Sequence, residues 1–263
     1  MMLNVRTVFL LIGLLVVSCR SANEDVKPAG IRIVSMSPGI TNTLIDAGFS
    51  DYLVGRSPFC RHANQSIPVI GDLRKVDFER LLKMAPSHVF VQQTASGIDE
   101  HLLALATQGK FKLHAWPIDR LEDIKTLYKE LTGLLGGSQQ ILEFSPLTTV
   151  SFQSPVLVIT PGLEGSAGLS FGTETYIDDL LQGMGIDNVL HQSGWISLSL
   201  EDIGRLNPKS IIVVSDSEIA ESALTGLRSL GYPVIPFVHE HVLVPSSYIA
   251  NVANKFQELN FDP

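Results

Sequence analysis

The chain repeats itself once. Phe78-Glu79-Arg80-Leu81-Leu82-Lys83-Met84-Ala85-Pro86, followed by Val89-Phe90-Val91, returns as Leu200-Glu201-Asp202-Ile203-Gly204-Arg205-Leu206-Asn207-Pro208, followed by Ile211-Ile212-Val213-Val214, at an offset of 122 residues (201 − 79). Gly109 falls on Gly231 at the same offset, and Pro38-Gly39 falls on Pro161-Gly162 at 123. A period this long, with two copies, describes two similar domains rather than a solenoid. Two similar lobes leave a cleft between them, and clefts between domains are where ligands bind.

Compartment is written at the start of the chain. Arg6 is the single charge of residues 1–18, and an unbroken apolar run from Val8 to Val17 follows it. That run is about half of the ~20 residues that span a bilayer, so it reads as the core of an export signal. Val16-Val17-Ser18-Cys19 resembles a bacterial lipobox, which implies lipidation of Cys19 after cleavage. Diacyl modification supplies the two chains that stable anchoring requires. Residues 19–30, polar with a Pro and a Gly, read as a tether. Removing residues 1–18 leaves 245 residues (263 − 18) and moves the formal charge from −8 to −9. An acidic balance argues against nucleic acid as a partner, which demands clustered Lys and Arg. With Cys19 lipidated, Cys60 is the one remaining thiol, so packed cores and not a disulfide must supply stability.

Strand-like and helix-like runs alternate within each half. Strands are expected at Ile31–Met36, Val89–Val91 and Leu113–Trp116, then at Val156–Thr160, Ile211–Val214 and Val234–Phe237. Helices are expected at Phe78–Met84, Ile98–Thr107, Glu174–Gln182, Leu200–Leu206, Glu218–Leu230 and Ser247–Leu259. Pro38-Gly39 reads as a turn after the first strand. The fold class is α/β: two similar Rossmann-like lobes, residues 31–117 and 151–263, each a parallel sheet covered on both faces. A linking region, 118–150, carries an amphipathic helix marked by Leu121, Ile124, Leu127, Tyr128, Leu131 and Leu135. Gly136-Gly137 ends that helix, with a shorter helical piece expected from Ser138 to Phe144. The copies differ in two extra segments, Arg56–Val69 in the first and Leu163–Gly172 in the second, which fall on the carboxyl side of the sheets and are read as the lips of the cleft.

Arg32-Ile33-Val34-Ser35-Met36-Ser37-Pro38, the run Tyr52-Leu53-Val54-Gly55-Arg56-Ser57-Pro58-Phe59-Cys60 and the two Glu-to-Pro segments resemble the helical-backbone substrate-binding proteins of bacterial ABC importers, over about residues 30–260. The resemblance implies a monomeric, non-enzymatic protein without a resident cofactor that captures a bulky metal chelate, corrinoid or iron-siderophore, between its lobes and hands it to a permease dimer. Haem or a free metal ion in the same fold is the alternative cargo. It further implies that Glu79 and Glu201, one per lobe, dock onto the two permease subunits. A pseudo-symmetric carboxylate pair suits a symmetric dimer by steering encounter and fixing register. Without the resemblance, both read as first-turn glutamates stabilised by the helix dipole.

The same alignment implies Phe59 and Trp195 as aromatic platforms, Glu240 as an acidic group near the ligand, and Leu73 and Gln92 where cobalamin binders can carry tryptophans. Arg56, Arg61 and Arg74 in or beside the first lip are candidates to meet an anionic chelate. His239 and His241 flank Glu240, but at i and i+2 of an extended segment they point to opposite faces; with His62 as a third partner they make a weak metal signal. Cys60 reads as a packing residue. A hydrolase reading rests on Gly168-Leu169-Ser170-Phe171-Gly172, with Asp216 and His239 following in α/β-hydrolase order, although a Gly-rich loop stands where the nucleophile strand is needed. Ser170 is otherwise a lip residue placed to touch the ligand. A lipid-anchored scaffold is the third class, and the paired lip segments weigh against it.

Overall fold

The computed structural model describes residues 30–136, 140–149, 154–162 and 168–259. Lobe 1 contains strands β1 (Ile33–Ser35), β2 (Leu53–Arg56), β3 (His88–Gln92) and β4 (Lys112–Trp116), with helices α1 (Pro38–Asp46), α2 (Phe78–Lys83) and α3 (Glu100–Thr107). Its sheet is parallel throughout, in the order β2-β1-β3-β4. Lobe 2 contains β5 (Val156–Ile159), β6 (Leu169–Phe171), β7 (Trp195–Ser197), β8 (Ser210–Ser215) and β9 (Val234–Val238), with α5 (Tyr176–Gly183), α6 (Leu200–Leu206), α7 (Glu221–Arg228) and α8 (Ile249–Gln257).

The second sheet, in the order β7-β6-β5-β8-β9, is mixed where a parallel one was expected. β5, β8 and β9 are parallel, whereas β6 runs antiparallel to β5 and β7 antiparallel to β6. Length decides this: residues 160–168 between β5 and β6 are too few for the crossover of a dozen or more that parallel pairing needs. The expected lip Leu163–Gly172 is therefore in part a strand, β6, while residues 163–167 lie outside the described set.

Pro38-Gly39 opens α1 instead of making a turn. Proline suits the first helical turn because its missing N–H has no intrahelical partner there. The Ser37 hydroxyl caps the helix by accepting from Ile40 N at 3.5 Å. The expected helical piece from Ser138 to Phe144 is absent from its described part, 140–144, which carries neither helix nor strand.

The repeat is real in three dimensions. α2 and α6 are capped by Asp77 and Ser199, and each runs into a central parallel strand, β3 and β8. Each ends on a left-handed non-glycine residue before its proline: Ala85 at φ 44° and Asn207 at φ 50°, again 122 apart (207 − 85). Gly109 and Gly231, which close α3 and α7, share the left-handed conformation at φ 74° and 82°.

Both sheets are covered on two faces. In lobe 2, Val156 and Val158 pack with Ile177, Leu180, Val252 and Phe256 of α5 and α8. Leu157 and Ile159, pointing the other way, pack with Ile203, Leu224 and Leu227 of α6 and α7. Helix α4 (Leu121–Leu134) ties the lobes together by entering both cores. Ile124 belongs to the lobe 2 core, and Leu127, Leu131 and Leu135 to that of lobe 1. Its first turn is pinned by Asp179 of α5, which accepts from Leu121 N at 2.8 Å and from Arg120 Nε at 2.9 Å, a carboxylate at the positive end of the helix dipole. The helix ends at Leu135, as expected, where Gly136 turns left-handed at φ 83°.

Candidate ligand cleft

A cavity of about 300 Å³ lies between the lobes. Lobe 1 and the start of the linker contribute Pro38 and Gly39 from the beginning of α1, Gln92 from the end of β3, and Ile118 and Asp119 from the segment after β4. Lobe 2 contributes Tyr176, Trp195 and the segment Leu243–Pro245. The lobe 1 wall is thus the carboxyl edge of a parallel sheet, where such sheets bind ligands.

Trp195 dominates the lobe 2 wall. β6 and β7 place Leu169, Phe171, Trp195 and Ser197 on one face, with Phe171 directly opposite Trp195. The indole rests on Phe171, ring centroids 4.2 Å apart, with Tyr176 at 6.3 Å. Beneath it both rings are fully buried, and the Tyr176 hydroxyl donates to Val242 O at 2.8 Å. Burial holds that phenol well above its ordinary range, so it stays a neutral donor. Trp195 itself remains 42% exposed. A half-exposed indole braced from below is a rigid platform for a flat or apolar ligand face.

Of the residues named from sequence, Gln92 and Trp195 share this cavity. Phe59, 60% exposed, and Arg61 sit on the first lip, outside the cavity lining. Arg61 Nη1 reaches Asp216 Oδ2 of lobe 2 at 3.0 Å. Arg56 is buried and donates to the carbonyls of Ile67, Ser57 and Gln65, so it shapes the lip and is not offered to an anion. Arg74 and Leu73 lie on an exposed turn where Asp72 Oδ1 accepts from Arg74 N at 2.8 Å. Cys60 is fully buried against Thr41 Oγ1 at 3.1 Å, and burial pushes its thiol up, as befits a packing residue.

His239 and His241 do not point to opposite faces. The chain turns after β9, the rings lie 5.8 Å apart, and His239 Nδ1 accepts from His241 N at 3.2 Å. His62 of the first lip crosses to within 4.7 Å of His241, which stacks on Tyr248 at 4.2 Å. Burial lowers the pKa of both His239 and His241, favouring neutral rings. Glu240 stays exposed with one oxygen 3.5 Å from His241 Nε2. This is a lobe-to-lobe contact; among the described residues no group of three or more His, Cys, Asp or Glu is arranged to hold a metal ion.

Ser170 is neither a ligand contact nor a nucleophile here. It points to the opposite face of β6 from Trp195, is fully buried between Ile159 and Ile196, and its hydroxyl has no hydrogen-bond partner. Asp216 is bonded to Arg61 and His239 Nδ1 to a backbone amide, so the Ser-Asp-His constellation is not assembled.

Glu79 and Glu201 occupy matching exposed positions in the first turns of α2 and α6. Both helices begin on the carboxyl side of their sheets, so the two carboxylates lie on the cleft-bearing edge of each lobe. Cys19 falls outside the described residues, and no helix among those described is long and apolar enough to cross a membrane. Sequence reasoning missed Asp119, Ile118, Tyr176 and Pro245 as cleft residues. For Ile118 and Asp119 the signal was present, since they directly follow a strand at the carboxyl edge.

No protein-family model and no curated protein matches the chain. Solved structures do. The periplasmic haem-binding protein HutB of Vibrio cholerae superposes with a TM-score of 0.69 at 16% identity, covering 87% of this chain and 98% of that one. The periplasmic haem-binding protein RhuT of Roseiflexus sp. RS-1 gives 0.62 at 18%, covering 87% and 97%. The periplasmic vitamin B12-binding protein BtuF of Vibrio cholerae gives 0.62 at 13%, covering 86% and 95%. The likeness spans nearly all of each of these periplasmic binding proteins. The fold of this chain is therefore that of the periplasmic substrate-binding proteins with two α/β lobes on a linking helix, the family that its sequence resembles.

Proposed function

We propose that the protein is the extracytoplasmic substrate-binding component of an ABC importer, held to a membrane by a lipid on Cys19, and that it captures a metal chelate in the inter-lobe cleft. The observation that carries this reading is Trp195, braced on Phe171 and Tyr176 and presented toward Gln92 from the opposite lobe. A cavity of about 300 Å³ sits at the low end of small-molecule sites, so a corrinoid or siderophore is gripped by one face rather than enclosed. Glu79 and Glu201, one on the cleft edge of each lobe, then serve as the docking pair for two permease subunits. No catalytic step is assigned, because the one serine in a hydrolase motif is sealed inside a sheet.

A thermal-shift panel on protein starting at Ser21, with cobalamin, cobinamide, haem and ferric siderophores, tests the reading. Ligand at 100 times its Kd adds about 2.7 kcal/mol, or roughly 5–10 °C for a chain of this size. Trp195→Ala should abolish the shift while leaving the unliganded melting point nearly unchanged. Silence across the panel, or a shift indifferent to Trp195, would remove the cleft from consideration.

A further inference from the structure

Among the described residues that line the cavity, Asp119 alone is a charged residue type, and its formal charge is negative. Its backbone N–H is bonded to Asp123 Oδ2 at 3.2 Å, while its carboxylate has no hydrogen-bond or ion-pair partner among the described residues. Asp119 keeps contact with solvent, and its pKa is raised by partial burial and then by the Asp123 carboxylate, which marks an anion without a counter-charge. Arg120 of the linker and Arg56 and Arg61 of the first lip are committed elsewhere. Arg120, next in sequence, turns away to hold Asp179. Arg61 is paired with Asp216, and Arg56 is bound to three carbonyls. The formal charge of the whole chain, −8, has the same sign as Asp119. Gln92, a neutral amide, shares the lobe 1 wall with Asp119, and the lobe 2 wall presents Trp195, whose ring quadrupole also favours positive charge.

We propose that Asp119 is the specificity-determining group of the cleft, selecting a flat ligand that presents a cation or a cluster of N–H donors and rejecting chelates that enter with carboxylates or other anionic groups. The inference rests on the binding-protein reading and deepens it. It favours amide-rimmed corrinoids and cationic hydroxamate chelates over polyanionic siderophores and over haem inserted propionates first. A charge-assisted hydrogen bond to an unpaired carboxylate is among the stronger polar contacts available, and an anion placed there meets uncompensated repulsion.

The test is isothermal titration of wild type and Asp119→Asn with cobalamin (neutral at its amide rim), ferrioxamine B (one free ammonium), ferric enterobactin (trianionic) and haem, each at low and moderate salt. The expected result is binding of cobalamin or ferrioxamine B, weakened ~10-fold or more by Asp119→Asn. Affinity for ferrioxamine B should also fall with salt in the wild type, a readout that needs no variant. Tighter binding of ferric enterobactin or haem than of both other probes, or an unchanged affinity in Asp119→Asn, overturns this inference and leaves the binding-protein reading intact. Failure of all four chelates to bind overturns the reading itself.

Discussion

At Gly39 the two lobes approach closely, and adding one carbon there should push them apart. A Cβ built on Gly39 lies 2.2 Å from the carbonyl oxygen of Pro245 and 2.7 Å from Ile118 Cδ1. Contacts of this kind settle near about 3.5 Å, so about an ångström of movement is required. Ile118 can turn its side chain, but the Pro245 carbonyl is backbone, and the segment after it is tied to α1 by Ser247 N donating to Thr43 Oγ1 at 3.2 Å. Overpacking of this sort costs about 1–3 kcal/mol, and better helix propensity returns less than about 1 kcal/mol in a first turn. Gly39→Ala should therefore lose about 1–2 kcal/mol net, or roughly 2–8 °C in melting temperature for a chain of this size. Gly204, in the exposed middle of α6 with nothing within 4 Å of its built Cβ, is the matched control. Gly204→Ala should gain up to about 1 kcal/mol from helix propensity alone. Differential scanning calorimetry of the two variants gives shifts of opposite sign on this argument. A Gly39→Ala protein that melts at or above wild type would refute the close lobe contact.

Ala85, left-handed at φ 44°, should accept Asn, the residue at its repeat partner Asn207, with a gain of about 0.5–1 kcal/mol in urea unfolding; a loss would mean the strain lies elsewhere. Asp179→Ala removes the acceptor for Leu121 N and the partner of Arg120, and should cost about 1–2 kcal/mol, with Asp179→Asn recovering part of it. His114 is lowered to about 4 by burial and by the charges of His88 and Lys112, so the unfolded chain binds its proton first as pH falls. Stability is full above the unfolded value near 6.5 and declines between there and about 4, by about 2–3 kcal/mol from this ring, which melting curves from pH 7.5 to 4.5 will show and His114→Phe should flatten. His239 Nδ1, an acceptor that acid would protonate, adds to the same slope, so His239→Gln should flatten it further.

Much of this fold was legible because its signals are local. Leu200–Leu206 forms the expected helix, and β3, β5 and β8 fall within a residue or two of the apolar runs that announced them, since a strand buried on both faces is apolar nearly throughout. The repeat fixed two lobes and even matched the left-handed residues that end α2 and α6. What misled was also local in appearance. Pro38-Gly39 looks like a turn until the Ser37 cap is seen, and Ser170 sits in a nucleophile-like motif that only strand pairing shows to be turned inward.

The amino-acid order by itself determined two lobes and a linking helix ending at Leu135, because periodicity, repeats and helix stops are properties of neighbours along the chain, while Trp195 and Gln92 became cleft candidates through the family resemblance. Only the tertiary structure decided which face of β6 meets the cleft, where Arg56, Arg61 and Arg120 spend their charge, and that Asp119, in the cavity that Trp195 also lines, has no side-chain partner among the described residues. Those outcomes depend on strand direction and on contacts between residues as far apart as Arg61 and Asp216 or Thr43 and Ser247, which no local pattern encodes.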